Sequence, residues 1–131
     1  MPVTLKLVTP VKVLPPTQGH QVTFTASDGE IGVRQGHAPL AALVGHGVVE
    51  VIQLDGSRQL WAVRGGVAQV LKDEVNMLVD EAVDLPAIDP VKVRARLAAL
   101  DGGEPSNGVD EAAWLRGQLM VVQRSANAAK H

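Results

Sequence analysis

Apolar and polar residues alternate over three stretches in the first two thirds of the chain. The stretches 3–7, 21–27 and 75–80 place an apolar residue at every second position, mostly with polar residues between them. A period of two is typical of a β-strand with one buried and one solvated face. The positions predicted to face the core are Val3, Leu5, Leu7, Val22, Phe24, Ala26, Val75, Met77 and Val79.

Turn signals separate these stretches. Pairs of proline, or of aspartate or glycine with glycine, stand at residues 15–16, 28–29, 55–56 and 65–66. The strongest hairpin signal is LDGS, residues 54–57, between VVEVIQL and RQLWAV. Short strands at such intervals predict a β-sandwich or barrel.

This central hairpin is apolar on both faces. Val49 and Val51 fall on one face of VVEVIQL, whereas Val48, Ile52 and Leu54 fall on the other. Two explanations remain open. Both faces are buried within the sandwich, or one is a docking face for another subunit, since apolar patches rimmed by polar residues mark interaction sites.

Beyond residue 85 the period changes to that of helices. Asp89 is suited to an N-cap and Pro90 to the first helical position, and apolar residues follow at helical spacing until Gly102-Gly103. The connector DGGEPSNG precedes a second helix with a stripe at Ala112, Leu115, Leu119, Val122 and Ala126. We therefore predict a mainly β fold with α: an N-terminal β-sandwich over residues 1–85 and an antiparallel two-helix hairpin over 86–131.

Composition and charge exclude several classes of protein. The 131 residues are 46% hydrophobic and 20% charged, which is a globular balance. A net charge of −2 with only two Trp and one Phe argues against nucleic acid as a partner. The chain has no cysteine and no apolar run of the length that a membrane span requires, so we expect a soluble chain from a reducing compartment. Residues 1–85 carry −3 and residues 86–131 carry +1, so the hairpin is mildly basic.

Candidate catalytic and metal chemistry is weak. His20, His37 and His46 lie in the β region, but they form neither an HxH pair nor a helical pair four residues apart. Ser27, Asp28 and His37 offer the residue types of a triad without a GxSxG motif. The glycines of GEIGVRQG match no phosphate-binding motif. We therefore expect no metal site, and these residues support hydrolase activity only weakly.

The motifs SDGEIGVRQGHAPL, GHGVVEV and VRGGVAQVLKDEVNMLVDEAV, followed by two helices, resemble the epsilon subunit of bacterial and organellar F-type ATP synthases. The likeness runs through nearly the whole chain. It implies a non-catalytic rotor subunit of the central stalk, seated between the gamma subunit and the membrane ring of c subunits. It implies coupling of gamma to the ring in ion-gradient-driven ATP synthesis, and inhibition of ATP hydrolysis by the C-terminal helices.

The resemblance also implies roles for particular residues. Ser27, Glu30 and His37 are expected to face the polar loops of the c ring, although His37 could instead brace its own turn. We assign the gamma contact to the apolar hairpin. The extended helices are expected to meet acidic segments of the catalytic beta subunits. The residues assigned are Val49, Val51, Leu60 and Ala62 for gamma, and Lys92, Arg94, Arg96, Arg116, Leu119 and Arg124 for inhibition.

Some members of this family bind ATP through a motif [IL]-D-x-x-R-A at the first helix. The matching residues here read IDPVKV, in which Asp89 fits but Lys92 and Val93 replace the arginine and alanine. Lysine offers a point charge where arginine offers a planar fork of donors, so the exchange weighs against a nucleotide contact. We expect no cofactor, and we interpret Asp89 as a helix cap, with ATP binding at Asp89 and Lys92 as the alternative.

The sequence leaves a second function open, that of a free-standing β-sandwich that binds a small ligand in the manner of cupins. It has only the histidines of the β region to support it. The family resemblance instead places the chain on the cytoplasmic face of the bacterial inner membrane, or the equivalent organellar face, held there only through the complex.

Overall fold

A computed structural model describes residues 2–108 and 110–129 of the chain. Seven strands come first, and they confirm the predicted order of strands before helices. Their bounds are β1 Val3–Thr9, β2 Lys12–Val13, β3 Thr17–Ala26, β4 Gly29–Val33, β5 Leu40–Gln53, β6 Arg58–Leu71 and β7 Glu74–Asp84. A 3-10 turn at Leu85–Ala87 leads to helix α1, Pro90–Asp101, and then to helix α2, Glu111–Ala129.

The strands form one sheet that curls back on itself. Its order is β2-β1-β7-β6-β5-β3-β4, and β1 also pairs with β3, which brings distant strands of that order together. The β5–β6 hairpin turns at residues 54–57 as predicted, with Ile52 opposite Arg58. The pairing of β1 with β7 is parallel, whereas the other pairings are antiparallel. The result is the predicted β-sandwich.

The sandwich encloses the main hydrophobic core. All nine positions that the alternation predicts as core-facing are buried there, because successive side chains of a strand point to opposite faces. Val49 and Val51 of β5 and Trp61 and Val63 of β6 join this core. Burial of one face of the central hairpin is thus explained by the sandwich itself.

Helix α1 begins where the sequence predicts. The Asp89 carboxylate accepts hydrogen bonds from the backbone N–H groups of Val91 and Lys92, at 3.1 and 3.3 Å, and Pro90 occupies the first turn. The helix ends at Asp101, followed by Gly102. This geometry confirms Asp89 as a helix cap.

The two helices cover the other face of the central hairpin. Helix α2 packs on β5 and β6, and α1 packs on α2. A second hydrophobic cluster fills this layer. Its buried members are Val48, Leu60, Ala62, Ile88, Val93, Trp114, Leu115 and Val121. The second cover that the apolar hairpin requires is therefore the chain's own helical layer.

Candidate functional site

The glycine-rich stretch 27–40 spans both ends of strand β4. Ser27 lies in the tight β3–β4 turn, where Ala26 pairs with Gly29, and Glu30 lies at the start of β4, whereas His37 lies in the loop beyond the far end of β4. Nδ1 of His37 lies 2.7 Å from the Ala38 carbonyl oxygen, so its ring braces this loop. Within residues 2–108 and 110–126, no hydrogen bond joins His37 to Ser27 or Glu30. The three predicted ring contacts therefore lie around both ends of the edge strand and do not form one cluster.

Glu30 forms an ion pair with the last helix. Arg124 of α2 donates from Nη1 to Glu30 Oε2 at 2.8 Å and from Nη2 to Oε1 at 3.2 Å. The Arg124 hydrogen bonds hold the pKa of Glu30 below its ordinary value of 4.5. The Glu30 side chain is still 51% exposed. The structure thus joins a residue assigned to the ring contact with one assigned to inhibition.

Arg124 also approaches a buried carboxylate. Nη2 of Arg124 lies 3.4 Å from Glu50 Oε1, and Arg58 Nη1 donates to Glu50 Oε2 at 3.0 Å. Glu50 is only 3% exposed beneath the helical layer. Because a buried carboxylate is costly without partners, these two arginines supply the counter-charge that its position requires.

The start of α2 is held to the sheet by a second group of charges. Arg64 of β6 donates from Nε and Nη2 to the two carboxylate oxygens of Asp110, at 3.0 and 2.8 Å. Nε2 of His46 lies 2.9 Å from the same carboxylate, and Arg64 also donates to Glu81 at 2.8 Å. The Arg64 and His46 hydrogen bonds lower the pKa of Asp110. Helix α2 is therefore fixed to the sandwich near each end.

Arg96 fixes the connector between the helices. Its guanidinium donates to Glu111 at 2.9 Å, to Glu104 at 3.1 Å and to the Pro105 carbonyl oxygen at 2.9 Å. The Arg96 hydrogen bond lowers the pKa of Glu111. Arg96 therefore acts as a brace of the folded hairpin, and the connector is tied to α1.

The other residues assigned to inhibition differ in exposure. Lys92, Arg94 and Arg116 are exposed, and their side chains make no ion pair within the described residues, whereas Leu119 packs against the second hydrophobic cluster. The folded hairpin thus leaves three cations of this set available.

Two further findings bear on function. Among residues 2–108 and 110–126, no three histidine, aspartate or glutamate side chains are grouped so that they could hold a metal ion. Neither helix, over its described residues, combines the length and the apolar character needed to cross a membrane.

Comparison with known proteins decides the family. Residues 2–85 match the family described as ATP synthase, delta/epsilon chain, β-sandwich domain. The chain belongs to the ATP synthase delta/epsilon family. It is 35% identical over 134 residues to the ATP synthase epsilon chain of Solibacter usitatus, with 99% of both chains covered. It is 34% identical over 127 residues to that of Corynebacterium diphtheriae, covering 96% of this chain and 98% of the relative. As an epsilon-type chain it is a subunit of an ATP synthase and not its catalytic part.

Solved ATP synthases share the fold. A chain of the Euglena gracilis mitochondrial ATP synthase, in a structure of OSCP, F1 and c-ring, superposes with a TM-score of 0.71 at 24% identity, covering 99% of this chain and 82% of that one. A chain in a Tetrahymena thermophila mitochondrial central stalk and c-ring structure gives a TM-score of 0.54 at 15% identity, covering 96% and 95%. The epsilon-type layout of sandwich and helices is therefore shared across distant sequences.

The residues assigned to the gamma contact need correction in this epsilon-type chain. Val49 and Val51 are buried in the sandwich, and Leu60 and Ala62 are buried beneath the helices. None of the four faces solvent, so the prediction that they form a docking surface is wrong for the folded hairpin. The hairpin is apolar on both faces as predicted, and both faces are covered from within the chain.

A different apolar row lies exposed on the outside of the sandwich. Leu43 pairs with Val67, Val67 with Leu78, Leu78 with Val8, and Val8 with Val13, so the row crosses five neighbouring strands. Leu43, Val67 and Leu78 are 64%, 48% and 55% exposed. Gln69, Asn76 and Lys6 line a groove beside it. We call the exposed Val13, Leu43, Val67 and Leu78, together with the half-buried Val8 between Val13 and Leu78, the exposed row.

The sequence offered little signal for the charged contacts. The one signal for Glu50 is that it is the only acidic residue within the apolar stretch VVEVIQL, which is typical of a buried carboxylate that needs a partner. Asp110 lies 46 positions from Arg64 and 64 from His46, and Arg124 lies 94 from Glu30, so no local spacing indicates these pairs.

Proposed function

We propose that this chain is the central-stalk rotor subunit that joins gamma to the c ring during ion-gradient-driven ATP synthesis. Its helices would restrain ATP hydrolysis. The observation that carries the proposal is membership of the ATP synthase delta/epsilon family, with an epsilon chain relative matched over 99% of both chains. The proposed place is the cytoplasmic face of the bacterial inner membrane or its organellar equivalent, with attachment through the complex.

The proposed gamma contact is the exposed row. Monomeric proteins rarely leave a contiguous apolar strip uncovered, and such strips with polar rims mark docking sites. Val67 and Leu78 lie at the centre of this row, with Gln69 and Asn76 beside them. The helical layer covers a different part of β5 and β6, so gamma can bind here while the hairpin stays folded.

The proposed ring contact is the β3–β4 turn and the loop that follows β4. Ser27 and Glu30 are exposed and polar, as a contact with polar loops requires. His37 is half-buried and braces its loop, so we give it a supporting role in shaping this edge. The exposed carboxylate of Glu30 selects a cationic group on the ring.

The proposed inhibition uses the helices in an extended form that reaches the catalytic beta subunits. Lys92, Arg94 and Arg116 supply the exposed positive charge, and Leu119 supplies apolar area once it leaves the second hydrophobic cluster. Moving a two-state equilibrium from 1:99 to 99:1 needs about 5.5 kcal/mol, whereas an exposed ion pair supplies roughly 0–1 kcal/mol. Because the folded hairpin has its own cluster and ion pairs, we expect partial inhibition.

The test is ATP hydrolysis by the assembled complex with the full chain and with residues 86–131 deleted. We expect the deletion to raise the rate by about two- to five-fold, the range that one or two exposed contacts supply. The double variant Arg94→Ala and Arg116→Ala removes two exposed charges but leaves the apolar face covered. We expect it to raise the hydrolysis rate by part of the increase that the deletion produces. Equal rates with the full and shortened chains would contradict inhibition by this hairpin.

A further inference from the structure

Arg124 connects the moving part of the chain to its proposed contact edge. The guanidinium binds both carboxylate oxygens of Glu30 on the edge strand β4, and it reaches buried Glu50 on β5. It lies on the last helix, near the end farther from the connector. One side chain therefore holds this part of α2 against the sandwich by means of Glu30 and Glu50.

We propose that Arg124 is a latch that competes with a cationic group of the c ring for Glu30, so that hairpin closure and ring contact oppose each other. This inference rests on the proposed function, because it takes the ring as the partner of Glu30.

The geometry of the pair explains the competition. Arg124 places one nitrogen on each oxygen of Glu30, at 2.8 and 3.2 Å, which occupies the carboxylate in the bidentate manner that a second cation would use. A second cation on the same carboxylate would lie within a few ångströms of the guanidinium, where like charges repel. Contact at Glu30 therefore loosens the latch. By linkage, an open latch favours contact at Glu30 by the same factor.

Glu50 makes the latch reversible. When Arg124 leaves, Glu50 keeps Arg58 but loses its second arginine, although its side chain is only 3% exposed while α2 stays in place. A buried carboxylate with fewer partners favours the return of the cation. Arg124 is thus biased to return to Glu30 and Glu50 while α2 remains on the sandwich.

This role reverses the sign expected of Arg124. If Arg124 were an inhibitory contact, removing it would weaken inhibition. If Arg124 is a latch, removing it favours opening of the hairpin. Arg116, the other arginine of α2, is exposed and makes no ion pair within the described residues. Arg116→Ala is therefore a matched control that removes the same charge from the same helix.

The first measurement is hydrogen exchange of the middle amides of α2 in the isolated full chain. Exchange protection reports the opening equilibrium of an element directly. We expect Arg124→Ala and Glu30→Gln each to lower protection by about two- to five-fold, as for an exposed ion pair, and Arg116→Ala to leave it unchanged. Protection in the sandwich strands shows that each variant is folded. Unchanged α2 protection in Arg124→Ala would overturn the latch.

The second measurement is the affinity of the full chain for a purified subcomplex of gamma and the c ring. The beta subunits are absent from it, so Arg116 has no proposed partner there. We expect Arg124→Ala to bind the subcomplex about two- to five-fold tighter than Arg116→Ala does. Glu30→Gln should bind it more weakly than the unaltered chain. In the Glu30→Gln background, Arg124→Ala should no longer change the affinity.

The outcomes separate the two proposals. Normal binding by Glu30→Gln would remove Glu30 from the ring contact, and the competition would fall with it. Weaker binding by Glu30→Gln, with Arg124→Ala no tighter than Arg116→Ala, would overturn the competition and leave the ring contact standing.

Discussion

Gly117 of helix α2 faces Gly47 of strand β5. It is buried, and a Cβ atom placed on it would meet only the backbone nitrogen of Gly47, at 3.9 Å, within the described residues around it. That separation is ordinary van der Waals contact, so a methyl group fits. A glycine in a helix interior weakens the helix, and here the structure leaves room for a side-chain methyl group.

Replacing Gly117 by alanine should stabilise the chain. Alanine is favoured over glycine in a helix interior by about 1 kcal/mol, and the methyl group causes no clash. We expect the free energy of unfolding of Gly117→Ala, measured by urea denaturation, to rise by up to about 1 kcal/mol. Gly117→Leu is the contrasting variant, because its larger side chain would push α2 away from β5. A loss of stability in Gly117→Ala would contradict the packing described at this crossing.

Residues whose partners are close in sequence were the ones that could be predicted. Asp89 caps the helix that starts beside it, and the alternation of β7 places Val75 in the core. The pairs of Asp110 and Arg124 could not be predicted, because their partners lie on strands far away in sequence. Local spacing in the sequence thus predicts the helix cap and the buried faces of the strands. The long-range charge pairs can be identified only once the strands are assembled into the sheet.

Helix α2 depends on carboxylates at both ends. Asp110 precedes it and is bound by Arg64, Glu111 begins it and is bound by Arg96, and Glu30 receives Arg124 near its other end. The arginine hydrogen bonds lower the pKa of each of these three carboxylates. A carboxylate whose pKa is lower in the folded state than in the released state stabilises folding at a pH above its ordinary value.

Acid should therefore release α2. Docking should be constant from about pH 7 to 5.5, and it should weaken as the pH falls below the ordinary values of 4.5 for glutamate and 3.8 for aspartate. Iodide quenching of tryptophan fluorescence measures this release. Trp114 lies on α2 and is buried in the second hydrophobic cluster, whereas Trp61 stays inside the sandwich. Asp110→Asn should show raised quenching already at pH 7. Quenching that does not change between pH 6 and 3.5 would show that these ion pairs do not hold the helix.

The described residues form two hydrophobic layers and leave the apolar row across five strands exposed. The change from a period of two to helical spacing near residue 85 predicted both the sandwich and the hairpin. The sequence could not show which face each apolar strand turns outward, since β5 and β6 are apolar on both faces. For that reason the sequence does not distinguish a docking surface from internal positions such as Val49 and Leu60, which the structure buries. The exposed row became visible only through the registers that align residues of five strands.

The central claim is that this chain is a rotor subunit that docks on gamma through the exposed row. The direct test is to purify the tagged full chain from cells that assemble the complex and to measure how much gamma is recovered with it. We predict gamma at one copy per chain, and its loss when Val67 and Leu78 at the centre of the row are both changed to Asp, since a charge in a buried interface costs a few kcal/mol. Val91→Asp, at an exposed apolar position of α1, is the control and should retain gamma. Recovery of the unaltered chain without gamma, or full recovery of gamma with the double variant, would contradict the account.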